Sequence, residues 1–425
     1  MSEKSSRWRS FVRGALLAGI ALIMSALGPA AAQSWSLTTL YSFCAASGCA
    51  DGREPRGTLI SDKIGNLYGT TAGGGAESSG TVFKLDPFGH ETVLHNFCSR
   101  NGCKDGLRPL AGLIMDGTGI LYGTTRGRGS LTRDGNPGGA AFAIEPGAGE
   151  AAFCKFGSTT CPTGKLPMGS LTMDASGNLY GTTSWGGTNF IAGFYCCGIV
   201  FKLPPGGGEN VLYSFCSLAD CHDGARPEAG LIMDASGNFY GTTFYGGSNQ
   251  AGTVFELAAG GEERVLYSFC TAANPNCTDG AYPKAGLVRE ASGNLYGTTL
   301  YGGINGKGTV FEVTAGGEEK VLYSFCSVAA CADGEYPQSA LIIDASGNLY
   351  GTTQSGGANA DGTVFVVAPT GQETVLHSFC SATKCSDGKS PLAGLLMDKS
   401  GSLYGTTSAG GANGKGGTVF ELAHP

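Results

Sequence analysis

The sequence predicts an all-β fold: a seven-bladed β-propeller of four-stranded antiparallel blades, with the N-terminal strand closing the ring by joining the C-terminal blade. Three observations carry that expectation. The block Tyr-Gly-Thr-Thr occurs seven times, with its tyrosines at Tyr68, Tyr122, Tyr180, Tyr240, Tyr296, Tyr350 and Tyr404, spaced 54 to 60 residues apart. A regular period of that length marks one supersecondary unit stacked many times. Each copy also holds four short apolar or β-branched runs separated by glycine-rich turns. Finally, the two chain ends are out of step with the repeat in a complementary way.

The fifth copy shows the unit most plainly. Residues 285–290 are a short apolar run suited to an innermost strand, and Ala291-Ser292-Gly293 is a turn whose glycine can take positive φ. Residues 294–299 make the second strand, a loop with Gly302 and Gly303 follows, and residues 308–313 make the third. A turn at Ala315-Gly316-Gly317-Glu318 leads to the outer strand, 319–325, then a cysteine loop and Asp333-Gly334 before Pro337. Such a unit cannot bury both faces alone, so neighbours must cover it. A β-solenoid is the competing architecture, but its usual repeat is shorter, and a closed ring leaves few exposed sheet edges. Residues 37–43 match an outer strand with no three before it, while the last copy stops after its third strand, 417–422. The first piece should therefore complete the last blade. The Gly-Gly and cysteine loops should share one face and the two tight turns the other.

The first 32 residues read as an export signal, leaving 33–425 as a single seven-repeat domain. Lys4, Arg7, Arg9 and Arg13 precede an apolar run at 14–27, and Ala30-Ala31-Ala32 offers a cleavage site before Gln33. The run is short for a membrane span, which needs about 20 residues. The expected location is extracellular or periplasmic, with no membrane span after cleavage. Seventy-three glycines and 14 % charged residues suit a turn-rich β protein. A net charge of −7 lacks the basic footprint of a nucleic-acid partner.

Fourteen of the sixteen cysteines fall one close pair to a copy. The pairs are Cys44 with Cys49, Cys98 with Cys103, Cys154 with Cys161, Cys216 with Cys221, Cys270 with Cys277, Cys326 with Cys331, and Cys380 with Cys385. In an exported chain this reads as one local disulfide per repeat. Structural zinc would need four ligands, whereas each pair supplies two and the five histidines do not follow the repeat. No metal or cofactor is expected. The adjacent Cys196 and Cys197 stand outside the pattern; a vicinal disulfide, a local clip or two thiols all fit them.

The Leu-Tyr-Gly-Thr-Thr, Gly-Gly and Gly-Thr-Val-Phe blocks resemble the GloVer tandem-repeat family of exported bacterial proteins, across nearly the whole mature chain. The Asp-x-x-Gly-Asn-Leu-Tyr block is similar, more weakly, to NHL-type propeller repeats. The resemblance implies an exported repeat protein with a choice of C-terminal anchors, and it supplies no activity. Nothing resembling an anchor follows Phe420.

Chemistry is harder to locate. The aspartates preceding glycine in the cysteine loops, such as Asp51, Asp223 and Asp333, read as loop formers, and so do the turn carboxylates from Asp62 to Asp398. Histidines give no general base, since His95 and His377 stand where other copies have tyrosine, and no Ser-His-Asp order is visible. The departures from the repeat are more telling. Before Gly-Gly stand Trp185, Tyr245 and Tyr301 in the third to fifth copies, where others have Gly73, Gly127, Ser355 or Ala409. Tyr282 and Tyr336, each just before a proline, should lie on the same face, and the long third-copy loop adds Phe190, Phe194 and Tyr195. Exposed aromatics stack on sugars or anchor peptides. The expectation is an arc of Trp185, Tyr245, Tyr282, Tyr301 and Tyr336 that binds a glycan or an extracellular protein, against packing of the same rings on glycine backbone. The reading leans to a non-catalytic binding module, with no catalytic residue assigned. The alternatives are a glycan-acting hydrolase or lyase and a purely structural or assembly protein. A carboxylate pair at the central mouth would favour the enzyme.

Overall fold

The computed structural model describes residues 34–100, 102–127, 138–145, 149–158, 161, 163–189, 197–270 and 277–425, with 149–152 described by backbone alone. Trp35–Pro425 form one compact unit. Seven antiparallel sheets of four strands are arranged radially, and two of them gain a short extra strand, Arg53–Pro55 and Glu335–Pro337. Blade 4, typical of the set, consists of Ile232–Met233, Phe239–Thr243, Thr253–Leu257 and Glu263–Ser268. The predicted propeller is the observed fold.

Each consensus residue has a local task. In the first copy Asp62 accepts bonds at Oδ1 from the amides of Ile64 and Asn66, and at Oδ2 from the Asn66 amide group and the Tyr68 hydroxyl. One carboxylate thus closes the tight turn and ties it to the second strand. The glycine of Tyr-Gly-Thr-Thr lies under a phenylalanine: a β-carbon on Gly241 would stand 2.7 Å from Phe255 Cζ and 2.9 Å from Leu231 Cδ2. Of the two threonines, the first bonds the next blade and the second its own. Thr242 donates to Ala285 O at 3.0 Å, while Thr243 Oγ1 lies 2.8 Å from Thr253 Oγ1.

The innermost strands are only two residues long, such as Val288–Arg289, where the sequence predicts 285–290. The preceding residues line the axial cavity instead, some of them close against the neighbouring blade's backbone. A β-carbon on Gly57 would meet Ala111 O at 2.4 Å, and one on Gly230 would meet Ser170 O at 2.7 Å. Further out, a buried phenylalanine just past each outer strand packs against the third-strand phenylalanine of the next blade, edge-on in every pair but the tilted Phe156–Phe201. The pairs are Phe43–Phe83, Phe97–Phe142, Phe156–Phe201, Phe215–Phe255, Phe269–Phe311, Phe325–Phe365 and Phe379–Phe420, with centroids 5.0–5.2 Å apart.

Closure follows the predicted route. Ser36–Ser42 pairs antiparallel with Thr418–Ala423, from Ser36 opposite Ala423 to Ser42 opposite Thr418, and supplies the outer strand of blade 7. Asn413 clasps the joint by donating to the carbonyls of Ser42 and Phe43.

Seven disulfides join the expected partners. They link Cys44 to Cys49, Cys98 to Cys103, Cys154 to Cys161 and Cys216 to Cys221. The others link Cys270 to Cys277, Cys326 to Cys331 and Cys380 to Cys385. The second cysteine of each pair does more than the clip that its spacing suggests. Cys49, Cys103, Cys277 and Cys331 take left-handed backbone, with φ of 57°, 48°, 46° and 52°. Their carbonyls then accept the amide of the Asp-Gly glycine: Gly52 on Cys49, Gly106 on Cys103, Gly280 on Cys277 and Gly334 on Cys331. The same carbonyls of Cys49, Cys277 and Cys331 also accept from Gly75, Gly303 and Gly357 of the Gly-Gly loops. Cys161 departs from this pattern, since its carbonyl accepts from Gly157 N at 2.7 Å. Cys216 and Cys221 lie close to Cys197, and Cys380 and Cys385 close to Asp361, but sulfurs joined in a disulfide offer a metal no thiolate.

Beside the disulfides the aspartates hold loop backbone: Asp333 accepts from the Ser327 and Val328 amides and from the Tyr323 hydroxyl. The third loop has threonine at that place, and Glu209 replaces the missing carboxylate by accepting from the Thr163 and Gly164 amides. Because the bonds from Gly-Gly amides to cysteine carbonyls hold the two kinds of loop together, both lie on one face, hereafter the loop face. Among the described residues no helix is long and apolar enough to cross a membrane.

A tyrosine ladder and a cationic mouth on the loop face

Two side-chain positions on the loop face are set by main-chain bonds that do not depend on residue type. The residue before Gly-Gly forms a bridge to the residue after Asp-Gly: Tyr245 and Ala225 exchange bonds of 2.9 and 2.8 Å, and Tyr301 and Ala281 do the same at 3.1 and 2.9 Å. The residue before the proline takes a left-handed backbone in every blade, with φ of 54° at Arg226, 58° at Tyr282 and 59° at Tyr336. That conformation costs a non-glycine residue about 1–2 kcal/mol. A bond between blades offsets it, since Tyr282 N donates to Ala251 O at 2.7 Å and Tyr336 N to Lys307 O at 2.9 Å. Backbone fixes the place, and the side chain is free to vary.

Blades 4 to 6 use this freedom for aromatics. Tyr245 meets Tyr282 at 5.5 Å between centroids, Tyr282 meets Tyr301 at 6.1 Å, and Tyr301 meets Tyr336 at 5.5 Å. Phe244, which follows the paired threonines, joins at 4.8 Å from Tyr245 and 5.3 Å from Tyr282. The row ends in cations: Arg226 lies 5.1 Å from the Tyr245 centroid and Lys307 4.4 Å from that of Tyr336. Tyr301 is 43 % exposed and the other members are half-buried, so the rings support one another and still present edges to solvent. Trp185 holds the equivalent place in blade 3, half-buried and paired through its backbone with Lys165. Phe190, Phe194, Tyr195 and Cys196 lie outside the described residues, so the vicinal-disulfide expectation falls there too. Cys197 is buried, and its thiol donates to Asn189 O.

Beside the ladder an axial cavity of about 500 Å³ is lined by residues of all seven blades. Its walls are small residues, among them Thr58, Gly112, Ser170 and Gly230, and its loop-face end is ringed by the residue that follows each proline. Around the ring these are Arg56, Leu110, Met168, Glu228, Lys284, Gln338 and Leu392. Arg126 and Arg226 also reach the cavity. Arg226 Nη2 contacts Glu228 Oε1 at 2.6 Å, Lys284 donates to Gln338 Oε1 at 2.5 Å, and Gln338 bonds Gln354. Burial, the largest cause, pushes the Lys284 amine below the usual lysine range; Glu228 opposes this and Arg56, Arg126 and Arg226 add to it. Among the described residues lining the cavity, Glu228 is the one carboxylic acid, so the carboxylate pair that hydrolysis would use is not formed there.

Sequence reading finds the tyrosines but misses this mouth and Phe244. The signal is present, because aligning the seven copies at the proline places arginine, glutamate, lysine and glutamine where other copies carry leucine or methionine.

Ring, disulfides and loop face define a disulfide-clipped seven-bladed propeller. The chain belongs to the Gloeobacter/Verrucomicrobia repeat family, whose model matches residues 29–191, 109–342 and 271–425. No curated protein matches it. Among solved structures, one described as a "putative gluconolactonase" aligns with TM-score 0.41 and 11 % identity, over 92 % of this chain and 94 % of its own. Another, a "putative 6-phosphogluconolactonase" from Bacteroides uniformis, aligns with TM-score 0.44 and 14 % identity, over 75 % of this chain and 83 % of its own. The lean away from an enzyme is corrected by these matches. Both of these solved structures are described as enzymes. Likenesses this distant transfer no activity.

Proposed function

We propose that the protein is an exported, glycan-acting enzyme of the hydrolase or lyase class, released by cleavage before Gln33, whose substrate lies along the tyrosine ladder with one sugar over the axial mouth. The observation that carries this reading is the adjacency of the two features: a row of half-buried tyrosines leads to a cavity holding an amine with a depressed pKa, three arginines and a buried glutamate. Tyrosine rings offer apolar faces with a polar tip, a combination suited to sugars. Hydrolysis by paired carboxylates lacks its second member among the described lining residues, which turns the reading toward elimination. A base with a lowered pKa can take the proton from the carbon beside a uronate carboxylate, and fixed cations stabilise the enolate. The bond from the next carbon to the glycosidic oxygen then breaks to leave a carbon–carbon double bond, the departing oxygen taking a proton from solvent. Lys284 is the candidate base, with Arg56, Arg126 and Arg226 as the cations.

The test is incubation of the purified protein with neutral and acidic polysaccharides, following chain length together with the ultraviolet absorbance of any new carbon–carbon double bond. Shortening of at least one glycan is expected, with loss of the activity in Lys284→Met and weaker substrate binding in Tyr282→Ala. The ring-stacking contribution should be about 1–3 kcal/mol, the range for a modest anchor. If no glycan is shortened the enzymatic reading is wrong, and if Lys284→Met works as well as the parent then Lys284 is not the base.

A further inference from the structure

The mouth is positive in a chain that is negative. Arg56, Arg126 and Arg226 face the cavity with Glu228 as the lone acid among its described lining residues, whereas the whole sequence carries −7. The fold does not require these charges: leucine stands in the place of Arg56 in blades 2 and 7 and methionine in blade 3, alanine or serine in that of Arg126 in blades 1, 3 and 7, and tyrosine in that of Arg226 in blades 5 and 6. Acid partners offset part of this charge. Glu228, whose side chain is 5 % exposed, is engaged by Arg226, and Arg56 reaches Glu54 only at 3.5 Å. Guanidinium groups lining a cavity are fork-shaped donors well matched to an oxyanion.

We infer that the axial mouth is an oxyanion subsite that takes the carboxylate or sulfate group of an acidic glycan. The inference rests on the glycan reading above and sharpens it to a substrate class. Guanidinium groups can grip either oxyanion with two parallel bonds, while Gln338 and Gln354, bonded to each other, add neutral polar contacts at the rim. Glu228 has a positioning role, holding Arg226, which also packs against Phe244 and Tyr245 at the start of the ladder. The subsite and the ladder therefore share one residue, and a bound chain could have its charged sugar in the mouth and its neighbours on the rings.

Calorimetric titration with oligogalacturonate, with its methyl ester and with a sulfated galactan separates the two sources of oxyanion from a neutral sugar. Carboxylate recognition predicts at least about tenfold tighter binding of the free acid than the ester, equivalent to 1.4 kcal/mol. Sulfate recognition predicts the same preference for the sulfated chain. In either case Arg56→Gln/Arg126→Gln should remove the preference. Thermal melting in sulfate against chloride at equal ionic strength provides a readout that needs no glycan. Sulfate should raise the melting temperature of the parent and leave the double variant unchanged. Equal binding of charged and neutral chains, with no arginine-dependent sulfate effect, overturns the inference and leaves the glycan reading intact. An arginine-dependent sulfate effect without any glycan binding does the reverse. If the double variant fails to fold, Arg126→Gln alone is used, since Arg126 is exposed.

Discussion

At the scale of single residues, the repeat is a set of contacts with little tolerance. Gly297 lies within the second strand of blade 5, and a β-carbon there would stand 2.6 Å from Phe311 Cζ and 2.9 Å from Leu287 Cδ2. Both neighbours are buried core groups, so neither can swing into solvent. Gly297→Ala should therefore destabilise the protein by about 1–3 kcal/mol, the usual cost of overpacking. Gly316 is the control: its added β-carbon would meet only Thr314 Oγ1 at 3.6 Å, and Gly316→Ala should stay within about 0.5 kcal/mol of the parent. Equal denaturant midpoints for the two variants would show that the phenylalanine can retreat. The same comparison explains why the motif glycine is legible from sequence. Seven copies repeat it because seven phenylalanines need the space.

At the scale of elements, the seams between blades carry charge as well as rings. A glutamate opening one outer strand faces the loop aspartate and the tyrosine of the preceding blade, as Glu263 faces Asp223 and Tyr213. Burial first, and the neighbouring aspartate second, push Glu91, Glu263 and Glu319 up to about 7 and Glu373 up to about 8. A carboxyl whose folded pKa exceeds its unfolded value near 4.5 binds more protons when folded. Its stabilisation is complete below that value and is lost as pH rises through 7 to 8. His95 and His377 act oppositely: burial lowers both, so they reduce stability only as pH falls below about 6.5. Glu373→Gln keeps the shape without the charge and isolates one seam. Between pH 5 and 8 the parent should lose more stability than the variant, by about 1 kcal/mol or less because the site is partly solvated. Urea unfolding across that range is the measurement, and parallel pH profiles would remove the seam carboxyl as a cause.

At the scale of the whole molecule, the parts legible in the sequence are those enforced seven times over, blade count, disulfides and the loop face, together with a closing strand that matches the outer strand missing from the last copy. The innermost strands are shorter than their apolar runs because the leading residues of each run line the axial cavity, a setting that one repeat taken alone does not reveal. Arg56, Glu228 and Lys284 went unnoticed because each stands at a position where the scaffold accepts almost any side chain, and only closure brings them to one cavity. Closure itself depends on a short segment. Ser36–Ser42 is the outer strand of blade 7, and Phe43 behind it is fully buried against Phe83 of blade 1. Removing residues 35–43 would strip the ladder from Thr418–Ala423, empty the Phe43 site and open the seam between first and last blades. Because each blade is held by its neighbours, the loss should spread beyond blade 7 and reach several kcal/mol, on the order of deleting a buried aromatic and more. Thermal unfolding should show a lower midpoint, and amide exchange should accelerate in Thr418–Ala423 before the other third strands. A truncated protein that melts with the parent, with those amides still protected, would mean that the ring holds without its closing strand.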